Sequence, residues 1–157
     1  MAVEFSSEAL GKFEAIVARY PRKEAAMLPA LYLAQREFGH LGPEAIDYVA
    51  KLMGQTPARV HGVVTFYTMF NMKPIGRHHI QICRTLTCAL GGAEKITAFI
   101  MQQLGIEPGQ TTPDGRFTLN EVECLASCGT APMMQINDDY YENLTEKKVD
   151  EILHSLK

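Results

Sequence analysis

"HHIQICRTLTC", residues 78–88, sets an alternating apolar stretch directly ahead of two cysteines five positions apart. Side chains alternate across an extended strand, so Ile80 and Ile82 share one face. The stretch that follows, "GGAEKITAFIMQQLG", changes period. Ile96, Phe99, Ile100 and Leu104 recur at helical spacing, and Gly105 is the stop. Cys83 ends the strand and Cys88 precedes the helix, so the pair brackets a strand-to-helix loop. Neither a strand nor a helix aims residues five apart in one direction, whereas a loop can turn both inward.

A counterpart lies downstream in "RFTLNEVECLASC", residues 116–128. The "TPDG" ahead of it, residues 112–115, is a turn, and Cys124 ends the predicted strand. Cys128 closes the next loop beside Gly129, whose freedom at positive φ suits a close backbone approach. "PMMQIN" reads as a strand and "DDYYENL" as its hairpin return. Thr145 caps a last helix with its apolar stripe on Val149, Ile152, Leu153 and Leu156. The order βα then ββα describes a small α/β sandwich of the thioredoxin kind. In such a sheet, strand ends of one polarity lie side by side, so the two cysteine pairs can meet at one rim.

The chain has 157 residues and only these four cysteines, with a net charge of −3 and a pI near 5.9. No Lys/Arg-rich run suggests nucleic acid as a partner. The opening "MAVEFSSEAL" has neither signal- nor transit-peptide character, and no apolar run reaches the length of a membrane span. A cytoplasmic protein without direct membrane insertion is expected. In that compartment stable disulfides are rare. Cys83, Cys88, Cys124 and Cys128 are therefore candidate metal ligands. A 2Fe-2S cluster takes four thiolates, two per iron, and a structural zinc ion also takes four at short pair spacings. Spacing alone leaves both open, beside a disulfide or free buried thiols. No C-x-x-C supports dithiol exchange, and no histidine near Cys124 or Cys128 supports a Rieske centre.

The first half reads as helices. Leu10, Phe13, Ile16, Val17 and Tyr20 follow the candidate caps Ser6 and Ser7 and stop at Pro21; Met27, Leu28, Leu31, Tyr32 and Ala34 follow next. Pro43 opens a third helix over Ile46, Val49, Ala50 and Met53, and Thr56 and Pro57 open a fourth over Val60, Val63, Val64 and Tyr67. "VVTFYTMF" within that last run has strand-like composition. "NMKPIGR" at 71–77 marks a change of texture. The fold class expected is α+β: a helical N-terminal region over residues 1–72, then a thioredoxin-like α/β domain over 73–157.

With "CRTLTCALGGAEKI", "GQTTPDGRFTLNEVECLASCGTAPMMQIND", "MLPALYLAQREFGHLGPEAIDYVAKLMG", "VHGVVTFYTMFNMKPIGRHHIQIC" and "YYENLTEKKVDEIL", the chain resembles, over nearly its whole length, the thioredoxin-like 2Fe-2S subunits of the NADH-dehydrogenase module of respiratory complex I, called E subunits in bacteria. The C-x4-C and C-x3-C frame with "CGTAP" carries the resemblance. It implies one 2Fe-2S cluster, with Cys83 and Cys88 on one iron and Cys124 and Cys128 on the other. It further implies single-electron exchange with the flavin of a neighbouring subunit that binds FMN and NADH. The cluster would sit off the main line of iron-sulfur centres, in a complex held at the inner face of the plasma membrane. The resemblance extends to the equivalent subunits of NAD-linked hydrogenases and formate dehydrogenases. Many relatives carry Gly where this chain has Ala126, and Ala cannot adopt positive φ freely.

Other residues have plainer readings. Adjacent His78 and His79 are expected at ordinary surface or edge positions, and His40 and His61 stand alone. Asp138 and Asp139 suit a turn rather than acid/base catalysis. Gly91 and Gly92 lack the remainder of a dinucleotide fingerprint, so NADH and flavin belong to a partner and the chain alone is expected to oxidise nothing. The methionines serve mainly as core filler. Phe66, Tyr67 and Phe70 pack internally or face a partner, which would make the helical half a docking arm.

Overall fold

The structure, a computed structural model, describes residues 3–156; residues 1, 2 and 157, at the ends of the two expected segments, lie outside them. The chain forms two compact units that divide between Pro74 and Ile75. The first holds helices α1 (Ser7–Val17), α2 (Met27–Phe38), α3 (Pro43–Met53) and α4 (Pro57–Phe66), with one 3-10 turn over Lys23–Ala26. Local chemistry sets their ends. The Ser6 hydroxyl accepts from Ala9 N at 3.2 Å and the Thr56 hydroxyl from Arg59 N at 3.4 Å, while Pro43 and Pro57 start helices where a missing N–H costs least. Gly39 and Gly54 stop α2 and α3 in the left-handed conformation, at φ +80° and +64°.

Leu31, Leu41, Val49, Met53, Val60 and Val64 are fully buried in the core of this unit. The strand-like composition around Val63 loses to that packing. Burying Val60 and Val64 one helical turn apart contributes roughly 1.5–3 kcal/mol each, against a spread of about 1 kcal/mol in β-propensity. The first helix differs from expectation on one face. Leu10 and Tyr20 of the expected stripe are exposed, and Phe5, ahead of the helix, packs with its ring centroid 5.3 Å from that of Phe38 and 6.1 Å from that of Phe13. Tyr32 is also exposed; its ring lies 5.3 Å from that of Phe70.

The second unit runs β1 (His78–Cys83), α5 (Leu86–Leu90), α6 (Ala93–Leu104), β2 (Phe117–Val122), a 3-10 turn (Cys128–Thr130), β3 (Met134–Ile136), β4 (Asp139–Tyr141) and α7 (Glu146–Ser155). The sheet order is β2-β1-β3-β4. β1 pairs parallel with β2, in the register His78 opposite Phe117 through Cys83 opposite Val122. It pairs antiparallel with β3, and β3 with β4. A parallel pair needs a crossover connection, here supplied by α5 and α6. Register places Ile80, Ile82, Leu119, Met134 and Ile136 on one face, and they share a core with Ile96 and Ile100 of α6 and Val149 and Leu153 of α7. Thr145 caps α7 by accepting from Lys148 N at 3.2 Å.

His79 lies on the opposite face and corrects the surface reading. It is buried, and its Nε2 sits 2.7 Å from Asn120 Nδ2. β1 is a central strand, paired with β2 along one side and β3 along the other, which alternation within β1 alone does not reveal. Gly76 enters the sheet so closely that a Cβ there would meet the Phe117 backbone at 2.8 Å. Among the methionines, Met27, Met53, Met133 and Met134 are core residues, whereas Met69 and Met72 are exposed.

Candidate metal centre

The parallel pairing of β1 and β2 brings both cysteine-bearing loops to one edge of the sheet. Cys83 ends β1 opposite Val122, and Cys124 follows two residues beyond Val122. Arg84 N extends the pairing by donating to Val122 O at 3.0 Å, and the Arg84 and Glu123 side chains form an ion pair across the two loops. The Cys83 sulfur lies 3.6 Å from the carbonyl oxygen of Glu123. All four cysteines are free thiols.

Their environments differ. Cys83 and Cys88 are buried, at 4% and 2% exposure, whereas Cys124 and Cys128 are exposed. Cys88 stands inside the five-residue helix α5, an element the expected open loop did not include. α6 begins only after Gly92. Burial pushes the Cys83 thiol up, but N–H groups of Thr85 and Leu125, with the Cys88 thiol, outweigh it and hold Cys83 below the ordinary thiol range. Cys88 is pushed up by burial, then by its hydrogen bond with Cys83 and the nearby Cys83 and Cys128 charges, against an N–H from Met133. Leu125 belongs to the second loop, so that loop already solvates a sulfur of the first.

The second loop is shaped by Ala126 rather than Gly129. Ala126 takes φ +59° and its N–H donates to the Cys124 sulfur at 3.3 Å. Gly129 has no positive φ and nothing within 4 Å of where a Cβ would stand, which corrects the close-approach reading. The Ala131–Pro132 peptide that follows is cis. Among the described residues, no three His, Cys, Asp or Glu side chains are gathered as a cage for one ion. Two sulfurs per iron is the demand of a dinuclear cluster, and pairs carrying N–H donors are what the two loops supply. Such donors stabilise anionic sulfur and tune the cluster it binds. The residues present therefore fit a 2Fe-2S group.

Sequence reasoning missed several residues here. Glu142 accepts hydrogen bonds from Ser127 and Thr130 on either side of Cys128, and nothing in "DDYYENL" signals it. The donor role of Met133 was equally hidden. Only Ala126 had a signal, as an alanine where glycine is the easier residue. Among the described residues, His40, His61, Asp138 and Asp139 join no group of three that could hold a metal.

A thioredoxin-like layered unit with four free cysteines in the segments that leave the carboxyl ends of two parallel strands belongs to a class, that of small iron-sulfur electron carriers. Residues 13–157 match the family described as thioredoxin-like [2Fe-2S] ferredoxin, and the chain belongs to that family. It carries one 2Fe-2S cluster accordingly. The E 2 subunit of the NADH-quinone oxidoreductase of Rhizobium meliloti is 44% identical over 146 residues, covering 93% of this chain and 87% of the relative. The E subunit of the NADH-quinone oxidoreductase of Rickettsia conorii is 45% identical over 156 residues, covering 98% and 93%. An NAD+-reducing [NiFe]-hydrogenase in the air-oxidised state shares the fold at a TM-score of 0.73 and 22% identity, over 83% of this chain and 22% of the hydrogenase chain. No helix among the described residues is long and apolar enough to cross a membrane.

Proposed function

We propose that this chain is the electron-transfer subunit of an NADH:quinone oxidoreductase, holding one 2Fe-2S cluster on Cys83, Cys88, Cys124 and Cys128. Cys83 and Cys88 bind one iron, and Cys124 and Cys128 the other. The observation that carries this reading is the placement of both cysteine loops at adjacent ends of parallel strands, with N–H donors from Thr85, Leu125, Met133 and Ala126 facing the sulfurs. Bound there, the cluster supplies reversible one-electron chemistry. The chain's own residues solvate the sulfurs and hold the ligand loops; no side chain is needed to move a hydride.

The electron is exchanged with the flavin of a neighbouring subunit that binds FMN and NADH. Residues 73–157 form the cluster domain, and the helical region, residues 1–72, serves as the docking arm, where Phe66 is 77% exposed beside Tyr67. The 44–45% identity to subunits of NADH-quinone oxidoreductases supports that complex as the host. The complex holds the chain on the cytoplasmic side of the membrane.

Anaerobic purification with metal and sulfide counting tests the proposal. About two irons and two acid-labile sulfides per chain are expected, with a brown colour and a paramagnetic signal after dithionite reduction. One zinc per chain without sulfide would replace the reading with a structural zinc module. Pull-down of native complex through this chain should bring a flavoprotein that oxidises NADH.

A further inference from the structure

Glu142 follows β4, far in sequence from the second cysteine loop, yet its carboxylate holds both flanks of Cys128. Its Oε1 accepts from the Ser127 hydroxyl and, at 2.8 Å, from the Thr130 hydroxyl. Those two hydroxyl oxygens are 2.7 Å apart. A carboxylate offers only acceptors, so it orients hydroxyl protons toward itself, and such charge-assisted bonds are stronger than neutral ones. The hydroxyls of Ser127 and then Thr130 hold the Glu142 carboxyl below its ordinary range, which keeps it ionised at neutral pH. The backbone grips the same turn, since Asn143 N donates to Thr130 O at 2.7 Å. Lys148 Nζ secures Glu142 in turn, donating to its carbonyl oxygen at 2.6 Å.

The turn's own bonds are few. Cys128–Thr130 is a single 3-10 turn, exposed at Cys128 and Gly129, in which Thr130 N and Thr130 Oγ1 each donate to Ser127 O at 3.2 Å. Ligand geometry for a cluster tolerates only small displacements, so a turn this short needs external support. We propose that Glu142 is a positioning residue for the metal centre: through the Ser127 and Thr130 hydroxyls it fixes the turn that presents the Cys128 sulfur. This inference rests on the reading of Cys128 as a cluster ligand.

The test uses the full chain loaded with iron and sulfide. The variants are Glu142→Gln, Glu142→Ala, Ser127→Ala with Thr130→Val, and the triple combination. Three readouts apply: the EPR g-values of the reduced cluster, the half-life of visible absorbance under excess chelator, and the unfolding midpoint of the cluster-free chain. The Gln amide oxygen still accepts, so Glu142→Gln should keep the parent g-values and a half-life within about twofold. Glu142→Ala and the hydroxyl double variant should each shift the g-values and lose the cluster on the order of tenfold faster. The triple variant should add nothing further, because all three residues act as one unit. Parent spectrum and half-life in Glu142→Ala would overturn the inference, as would additive losses in the triple variant or a lowered midpoint with unchanged g-values. If Glu142→Ala does not fold, the hydroxyl variant and Glu142→Gln decide by the same criteria. A parent protein that takes up no iron instead sinks the electron-carrier reading, which is thereby told apart from failure of the Glu142 role alone.

Discussion

The backbone N–H of Ala126 points at the Cys124 sulfur from 3.3 Å, and Ala126 itself occupies the left-handed region at φ +59°. An alanine there is held against its intrinsic preference by the loop around it.

Replacing Ala126 by Gly should therefore stabilise the cluster-free chain by about 1 kcal/mol, since the N–H is kept and the Cβ penalty removed. The EPR signal of the loaded protein should stay unchanged. Ala126→Val should go the other way. Denaturant melts of the three proteins check this, and a destabilised Gly variant would mean that position 126 is not left-handed in solution.

Cysteine reactivity should follow the unequal burial of the two pairs. In the cluster-free chain, iodoacetamide is expected to modify Cys124 and Cys128 before Cys83 and Cys88, because access limits the buried pair even where its thiolate is favoured. Loading the cluster should protect all four. Peptide mass mapping over a time course gives the order. Cys124→Ala should bleach the visible absorbance.

Gly76→Ala puts a Cβ 2.8 Å from the Phe117 carbonyl carbon and 2.9 Å from its nitrogen. Backbone cannot yield as a flexible side chain can, so a loss of about 2 kcal/mol is expected. The same substitution at Gly129, where nothing lies within 4 Å, should be close to neutral. Thermal melts of the two variants make the comparison.

Burial of His79 lowers its pKa from the ordinary value of 6.5. The folded state thus favours the neutral ring, with Nε2 free to accept from Asn120 Nδ2. Its contribution is complete above 6.5, the unfolded value, and is lost as pH falls below that toward the folded pKa, because the unfolded chain then binds the extra proton. Stability of the cluster-free chain should fall over the interval below about pH 6.5. His79→Gln should have a shallower slope over the same interval, and equal slopes would remove His79 as the cause.

Much of this architecture could be read from local signals. Ser6, Thr56 and Thr145 announced helix starts, Pro43 and Pro57 sat at first positions, and the switch of period between Ile82 and Ile96 marked the strand-to-helix unit. These cues act within one turn or one strand, so a single sequence displays them. What escaped depends on distant partners. His79 is buried on a strand flanked by two others, Leu10 is exposed while Phe5, ahead of the helix, stacks on Phe38, and Glu142 reaches Ser127 only once the hairpin has closed. The left-handed position fell to Ala126 rather than Gly129, because residue permissiveness says which residues can take positive φ and not which one the loop requires to do so.

The parallel register of β1 with β2 has an outcome for biogenesis as well. A chain emerging from the ribosome owns two of its sulfurs as soon as β1 and α5 are made, but the other pair arrives only after the whole α6 crossover and β2. On the proposed ligand set, the home of the inorganic core stays incomplete until β2 has docked beside β1, so loading would report on that one pairing.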